Sequence, residues 1–291
     1  MRGLVRCVLL GIAICVLMVL PAQLVVLAQE PTKVADRPAP EVIAAWENAG
    51  AEFGWLTFKQ SGQILFLPHR QPRGAEAMSA FAFKEFPTGK LKALPAPEVP
   101  FGLRLDGPEV TDAALEELAG LKQLQALDIW GTQVAGPGLK QLVGLRQLRS
   151  LDIANTQVTD EGLKGLAELK QLQFLRLTET RVTDAGLIEL AGLEQLKTLG
   201  LGATRVKGDG LTELTALKQL QVLHLSRTQV TDAGLKEVAK LKQLQMLDLS
   251  FTKFTDAVTC FTFFGQSKCL FWREPGEPAD VETAASEREE G

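Results

Sequence analysis

Residues 217 to 240 read LKQLQVLHLSRTQVTDAGLKEVAK, and residues 241 to 252 begin the phrase again as LKQLQMLDLSFT. At a period of 24 residues, blocks starting at Leu121, Leu145, Leu169, Leu193, Leu217 and Leu241 superpose without a gap, and a weaker block starts at Pro97. The shared frame is LxxLxxLxLxxTxVTDxGLxxLxx. Its apolar residues keep two rhythms. Block positions 19, 22, 1 and 4, as in Leu235, Val238, Leu241 and Leu244, are three apart, whereas positions 7 and 9, Leu247 and Leu249, alternate. The first spacing shares a helix face and the second a strand face, so each block predicts one helix and one strand. A single block cannot bury its own leucines, but a stack of blocks can.

The punctuation between these segments has physical reasons. Thr-Asp at positions 15 and 16, as in Thr159-Asp160, Thr183-Asp184 and Thr231-Asp232, places side-chain oxygens where the first N–H groups of a helix need acceptors. The glycine at position 18, seen at Gly138, Gly162, Gly186, Gly210 and Gly234, predicts close approach between neighbouring turns. Position 12 is Thr132, Thr156, Thr180, Thr204, Thr228 and Thr252, a hydroxyl column expected to form a ladder with adjacent backbone along the stack.

These blocks resemble leucine-rich repeats, whose signature LxxLxLxxNxL is matched from Leu220 to Val230 with Thr228 in place of asparagine. The resemblance runs over residues 97 to 256. With VTDAGL it is similar to the cysteine-containing subfamily, and more closely to a threonine-bearing version found in exported bacterial repeat proteins. It implies an α/β fold: a right-handed horseshoe solenoid with parallel concave strands and convex helices, its seven strands spanning roughly 29 Å at about 4.8 Å per step. The cysteine-containing subfamily is best known from F-box adaptors, but no F-box is present.

Outside the repeats, the first 28 residues predict a signal peptide: Arg2 and Arg6 precede an apolar run, and Val26-Leu27-Ala28 offers a cleavage site after Ala28. The alternative is an uncleaved anchor over residues 7 to 28. Either way the protein is exported: periplasmic, envelope-associated or extracellular. Residues 29 to 40 read as a proline-bearing linker. Residues 41 to 96 predict an N-terminal cap built of a helix stopping at Gly50, a hairpin around Ser61-Gly62 and a strand at 80 to 86, with Trp46, Trp55, Phe58, Phe66 and Phe83 covering the solenoid end. Residues 257 to 273 are a C-terminal cap or a degenerate repeat, and 274 to 291 an acidic tail expected to be disordered. Cys260 and Cys269 are disulfide candidates in an oxidising compartment; the alternative is two small apolar side chains.

A net charge of −4 and a pI near 5.5 argue against nucleic acid as a partner. Two histidines, His69 and His224, leave little material for a metal or proton-transfer site, and no GxSxG, HExxH or phosphate-binding loop occurs. No enzymatic activity, no cofactor and no metal are therefore expected. The expected function is a monomeric interaction scaffold for an unidentified protein or peptide; the alternative is a carbohydrate- or envelope-binding structural module. Membrane contact is expected only through an uncleaved N-terminal segment.

Ligand contacts are expected at positions 6, 8 and 10, which point away from the buried leucines at 7 and 9. Trp130 and Phe174 are candidate apolar anchors, Arg176 and His224 polar contacts, and Gly200 and Gly202 a notch in the strand face. Asp128 and Asp152 lie on neighbouring strands and would repel, but two carboxylates alone fall short of a calcium site.

Overall fold

A computed structural model of the chain describes residues 37–59, 63–69, 72 and 77–252, together with the backbone of 261–263 and 266–268. The expected signal peptide, the linker before residue 37, the hairpin tip Ser61-Gly62, the pair Cys260 and Cys269, and the acidic tail lie outside the described residues.

The repeat strands are β4 (Phe101–Leu105), β5 (Leu124–Asp128), β6 (Ser150–Asp152), β7 (Phe174–Arg176), β8 (Thr198–Gly200), β9 (Val222–His224) and β10 (Met246–Asp248), all parallel and in sequence order. Equivalent block positions pair across neighbours: Leu127 with Leu151, Leu151 with Leu175, Leu199 with Leu223. The weak block at Pro97 therefore supplies a full strand. Leucines from both rhythms meet in one core, where Leu127, Leu139, Leu142, Leu175, Leu199 and Leu223 are completely or almost completely buried. At about 25 cal/mol per Å² of apolar surface, that shared burial is what a lone repeat lacks.

The convex segments are tighter than the α-helices expected from the sequence. Ala114–Gly120, Pro137–Gly144, Asp184–Leu190 and Asp209–Ala216 are 3-10 helices; only α2 (Asp160–Leu163) and α3 (Asp232–Val238) are α-helical within the repeats. A 3-10 turn rises further per residue, and the glycine at position 18, present in both α-helical segments as well, does not by itself decide between the two. That glycine does allow close approach. A Cβ on Gly210 would lie 2.4 Å from the Asp184 carbonyl oxygen, and one on Gly162 would lie 2.7 Å from the Gly136 Cα.

Two details differ from the sequence reading. In the Thr-Asp pair at 183 and 184 the threonine hydroxyl caps its own helix, accepting from the Ala185 N–H at 3.2 Å, but Asp112, Asp160 and Asp184 serve the following repeat. Asp184 accepts from the N–H groups of Lys207, Gly208 and Gly210 at 2.8 to 2.9 Å; Asp112 accepts likewise from Ala135, Gly136 and Gly138. Asp160 accepts from the Thr183 N–H and hydroxyl. One turn's carboxylate thus caps its neighbour, including the two blocks that have Ala135-Gly136 and Lys207-Gly208 where the frame has Thr-Asp. The threonine hydroxyls do not run between repeats either. Each donates three residues back within its own block, as Thr204 to the Leu201 carbonyl at 2.6 Å and Thr228 to Leu225 at 2.6 Å. This closes a turn whose position 11 takes the left-handed backbone at Asn155, Glu179, Ala203, Arg227 and Phe251.

At the N-terminal end, α1 (Pro40–Asn48) is followed by β1 (Ala51–Phe58), β2 (Ile64–Pro68) and β3 (Ala77–Phe83). Pro40 opens the helix where its missing N–H is unneeded, and Gly50 at φ 104° ends the turn that follows. β3 pairs parallel with β4, β1 antiparallel with β3, and β2 antiparallel with β1, so ten strands form one sheet. Trp46 closes the core: it stacks on Phe81 at 4.5 Å, meets Phe83 and Phe101, and donates to the Pro95 carbonyl. β11 (Phe261–Phe263) and β12 (Gln266–Lys268) form a separate antiparallel pair within the segment read as a cap or degenerate repeat.

Candidate functional site

Strand alternation gives the N-terminal hairpin a second role that its sequence does not advertise. On β1 and β3, Phe53, Phe81 and Phe83 enter the solenoid core, while Leu56 and Ala80 point to the opposite, concave face. There Leu56, Ile64, Ala80 and Ala126 form a small apolar cluster, flanked by Phe58, Phe66 and Met78. Phe58 stacks on Phe174 with ring centroids 5.6 Å apart. Phe58 and Phe66, expected to cover the solenoid end, cover instead the concave column at position 6. Gly102 lies beneath Leu56, whose Cδ1 would be 2.3 Å from a Cβ built there. Phe174 is thus already half-buried against this chain's own hairpin.

Position 8 carries a row of charges across the strands. On β4 the Arg104 Nε contacts both Asp106 oxygens, at 3.0 and 3.1 Å, and sits 3.9 Å from the Asp128 Oδ2 on β5. On β7 the Arg176 guanidinium donates to the Asp152 Oδ2 on β6 at 3.0 Å. Asp128 and Asp152, paired in register, are buried to 3% and 2% exposure. Each turns one oxygen back to a backbone N–H two residues on, that of Trp130 at 3.2 Å and that of Ala154 at 3.0 Å. Burial, reinforced by the Asp152 charge, pushes the Asp128 carboxyl up to about 7 against the pull of Arg104 and the Trp130 N–H. Burial also raises Asp152, opposed mainly by Arg176. The repulsion expected between them is therefore relieved by flanking guanidinium groups and by a proton held on Asp128 near neutral pH.

Between β2 and this row lies a cleft of about 250 Å³, lined by Gln63, Ile64, Leu65, Arg104, Asp128, Trp130, Asp152 and Arg176. Trp130 projects at position 10 and is 46% exposed. Four of the sequence candidates, Asp128, Trp130, Asp152 and Arg176, thus converge on one opening. The residues missed are Gln63, Ile64, Leu65 and Arg104; Arg104 stands at position 8 of the weak block, and the only sequence signal for the other three is their place in an apolar hairpin arm.

The remaining candidates lie further along the sheet. Gly200 and Gly202 are buried between larger neighbours. A Cβ on Gly200 would meet the Arg176 Cγ at 3.2 Å, and one on Gly202 the Ser226 Oγ at 3.0 Å, so the notch is partly filled by flanking side chains. His224 sits beside it with Nδ1 3.6 Å from the Asp248 Oδ2; its Nε2 is buried and has no hydrogen-bond partner among the described residues. Burial pushes Asp248 up, but the Ser250 hydroxyl and N–H, with His224, hold it below the ordinary carboxylate value. Among the described residues no three His, Cys, Asp or Glu side chains gather to hold a metal, and no helix is long and apolar enough to cross a membrane.

The family profile described as a leucine-rich repeat region matches residues 109–270. Solved structures similar to this chain include an internalin (inlF) of Listeria monocytogenes str. 4b F2365. It is 24% identical, the match covers 60% of this chain and 53% of that one, and the TM-score is 0.45. Internalin C2 (inlC2) of the same strain is 27% identical over 57% of this chain and 65% of that one, with a TM-score of 0.44. The plant peptide hormone receptor RGFR1 in complex with RGF2 is 16% identical over 54% and 28%, with a TM-score of 0.36. The chain therefore spans 53% and 65% of the two internalin structures. A comparison with curated protein sequences finds no match.

Proposed function

This chain belongs to the leucine-rich repeat family, and from that premise we propose that it is an exported, monomeric, non-enzymatic scaffold recognising a protein or peptide on the concave strand face. The observation that carries the reading is the convergence of an exposed indole, two guanidinium groups and two carboxylates on one cleft beside the hairpin. Such a mixture of a large aromatic anchor with charges of both signs suits a protein surface better than a polymer of one sign. A sugar-stacking surface would want several adjacent exposed aromatics, whereas Trp130 is the one tryptophan among the concave columns and the chain has no tyrosine.

The hairpin bounds the proposed surface. Column 6 from Gly102 to Phe174 is occupied by Leu56, Ile64 and Phe58, so the ligand would lie along positions 8 and 10 and over β8 to β10, where Met246 is exposed. The test is capture from envelope extract by the chain from Gln29, set against a Trp130→Ala, Met246→Ala double variant with unchanged circular dichroism. A partner that binds the purified parent directly and at least tenfold more weakly the variant supports the reading. Equal binding by both proteins rejects the concave face as the recognition surface.

A further inference from the structure

We propose that the cleft between β2 and strands β4 to β7 receives a cationic side chain, a lysine or arginine of the bound protein, seated between the Asp128 carboxylate and the Trp130 ring. This deepens the proposed function and rests on the concave face being the recognition surface. Across positions 8 and 10 the cleft and its rim hold three carboxylates, Asp106, Asp128 and Asp152, against two guanidinium groups, Arg104 and Arg176. Both arginines have a partner at 3.0 Å: Arg104 is committed to Asp106 and Arg176 to Asp152. Asp128 is left with Arg104 at 3.9 Å and one backbone N–H, although it is 3% exposed and lines the cleft. A buried carboxylate without a close counter-charge is costly, and an incoming cation is what would relieve it.

Trp130 supplies the complementary surface. Its indole is half-exposed at the same opening, and a cation within about 6 Å of such a ring gains about 0.5 to 2 kcal/mol. Ile64 and Leu65 on the roof offer apolar contact for the methylene stem of a long cationic side chain. The volume, about 250 Å³, suits one side chain rather than a folded segment. An anion would have to compete with Asp106 and Asp152 for the two arginines, and would approach Asp128 against its charge.

The test uses capped single residues as probes, so that it does not depend on finding the partner. Acetyl-lysine-methylamide, acetyl-arginine-methylamide, the neutral acetyl-norleucine-methylamide and acetate are titrated into the full chain at constant ionic strength, following binding by isothermal titration calorimetry in every protein and by the Trp130 indole resonance where that residue is present. Spermidine is added in parallel to separate a free polyamine from a side-chain ligand. The expected result is saturable binding of the lysine or arginine probe, at least tenfold tighter than norleucine or acetate and lost in Asp128→Asn and in Trp130→Leu. Because the competent form carries ionised Asp128, affinity should fall about tenfold from pH 8 to pH 6. Equal binding of norleucine, preference for acetate, preference for spermidine, or cation binding unchanged in Asp128→Asn would each overturn the proposal. Binding of the cationic probe alongside failure of the partner-capture experiment would count against the concave-face function while leaving the cleft's ligand chemistry standing.

Discussion

An Asp128→Asn variant should be more stable than its parent, and the gain should grow with pH. Asp128 is 3% exposed, and its carboxyl is raised from 3.8 to about 7, first by burial and then by Asp152. A carboxyl whose folded value is raised keeps its proton in the fold where the unfolded chain has already lost it. Its stabilising contribution is therefore fully present below 3.8, falls as pH rises through the interval, and is gone above about 7. At about 1.4 kcal/mol per pH unit, the raised carboxyl weakens the fold relative to a group that does not titrate by about 4 kcal/mol at pH 8, where it is ionised, and by about 1.5 kcal/mol at pH 5, where it holds a proton the unfolded chain has lost. Asparagine matches the shape of the protonated carboxyl, does not titrate, and can still accept the Trp130 N–H through its carbonyl oxygen. The stability difference between variant and parent should thus widen by about 2 to 3 kcal/mol from pH 5 to pH 8, or about 5 to 10 °C in Tm for a domain of this size. Paired thermal and urea melts by circular dichroism at pH 5, 6, 7 and 8 measure it, since carboxylates remote from the cleft titrate in both proteins and cancel, while the coupling to Asp152 is part of the difference read. A flat difference, or a variant that loses ground as pH rises, would mean that Asp128 and Arg104 form a stabilising ion pair at 3.9 Å and that the reasoning from burial is wrong.

Three further outcomes test the repeat architecture. Gly210→Ala should lower stability by about 1 to 3 kcal/mol, because its Cβ meets the Asp184 backbone at 2.4 Å, while Gly120→Ala, with open space around it, should not destabilise; urea midpoints compare them. Asp184→Ala deprives three N–H groups of the next repeat of their acceptor and should cost about 2 kcal/mol, with hydrogen exchange speeding first at Lys207, Gly208 and Gly210. Ala203→Gly should stabilise by about 0.5 kcal/mol, since relief of the left-handed backbone at φ 53° exceeds the added freedom of the unfolded chain; a lower Tm would contradict this.

The solenoid was legible because stacking forces each repeat to spell the same interior: Leu127, Leu151, Leu175, Leu199 and Leu223 occupy one column in the frame and one line in the core. Position 18 was legible for a similar reason, since a Cβ there would come within 3 Å of the neighbouring turn, of its backbone at Gly138, Gly162, Gly210 and Gly234 and of the Asp160 carboxylate at Gly186. Position 11 was not. Asn155, Glu179, Ala203, Arg227 and Phe251 share a left-handed backbone but no chemistry, because the turn is closed by the threonine that follows and tolerates its modest strain. The partners of Asp160 and Asp184 were hidden too: a carboxylate capping the next repeat at 23 to 26 residues' distance leaves the same Thr-Asp letters as one capping its own helix. The larger gap concerned the concave face. Strand alternation shows which residues point there, but not that Leu56, Phe58 and Ile64 arrive from outside the repeats to cover part of it. That fold-back depends on a hairpin with no periodic signature, so Phe174 reads as an anchor in sequence and is a packing partner in space.

The two properties of Asp128, weakening the fold when ionised and lining the cleft when empty, belong together if the cleft takes a cation. A ligand that binds only the ionised form adds stability by RT ln(1 + [L]/Kd), and its apparent Kd rises as Asp128 takes up a proton. The lysine or arginine probe at a concentration ten times its Kd at pH 8 should then contribute about 1.4 kcal/mol to the parent at pH 8, and about 0.4 kcal/mol at pH 6. The Asp128→Asn variant, already relieved of the charge, should show no such pH-dependent gain. A Tm shift of equal size at both pH values, or one retained in the variant, would separate the strain at Asp128 from recognition and leave its burial as a cost of packing the hairpin over β4 to β7.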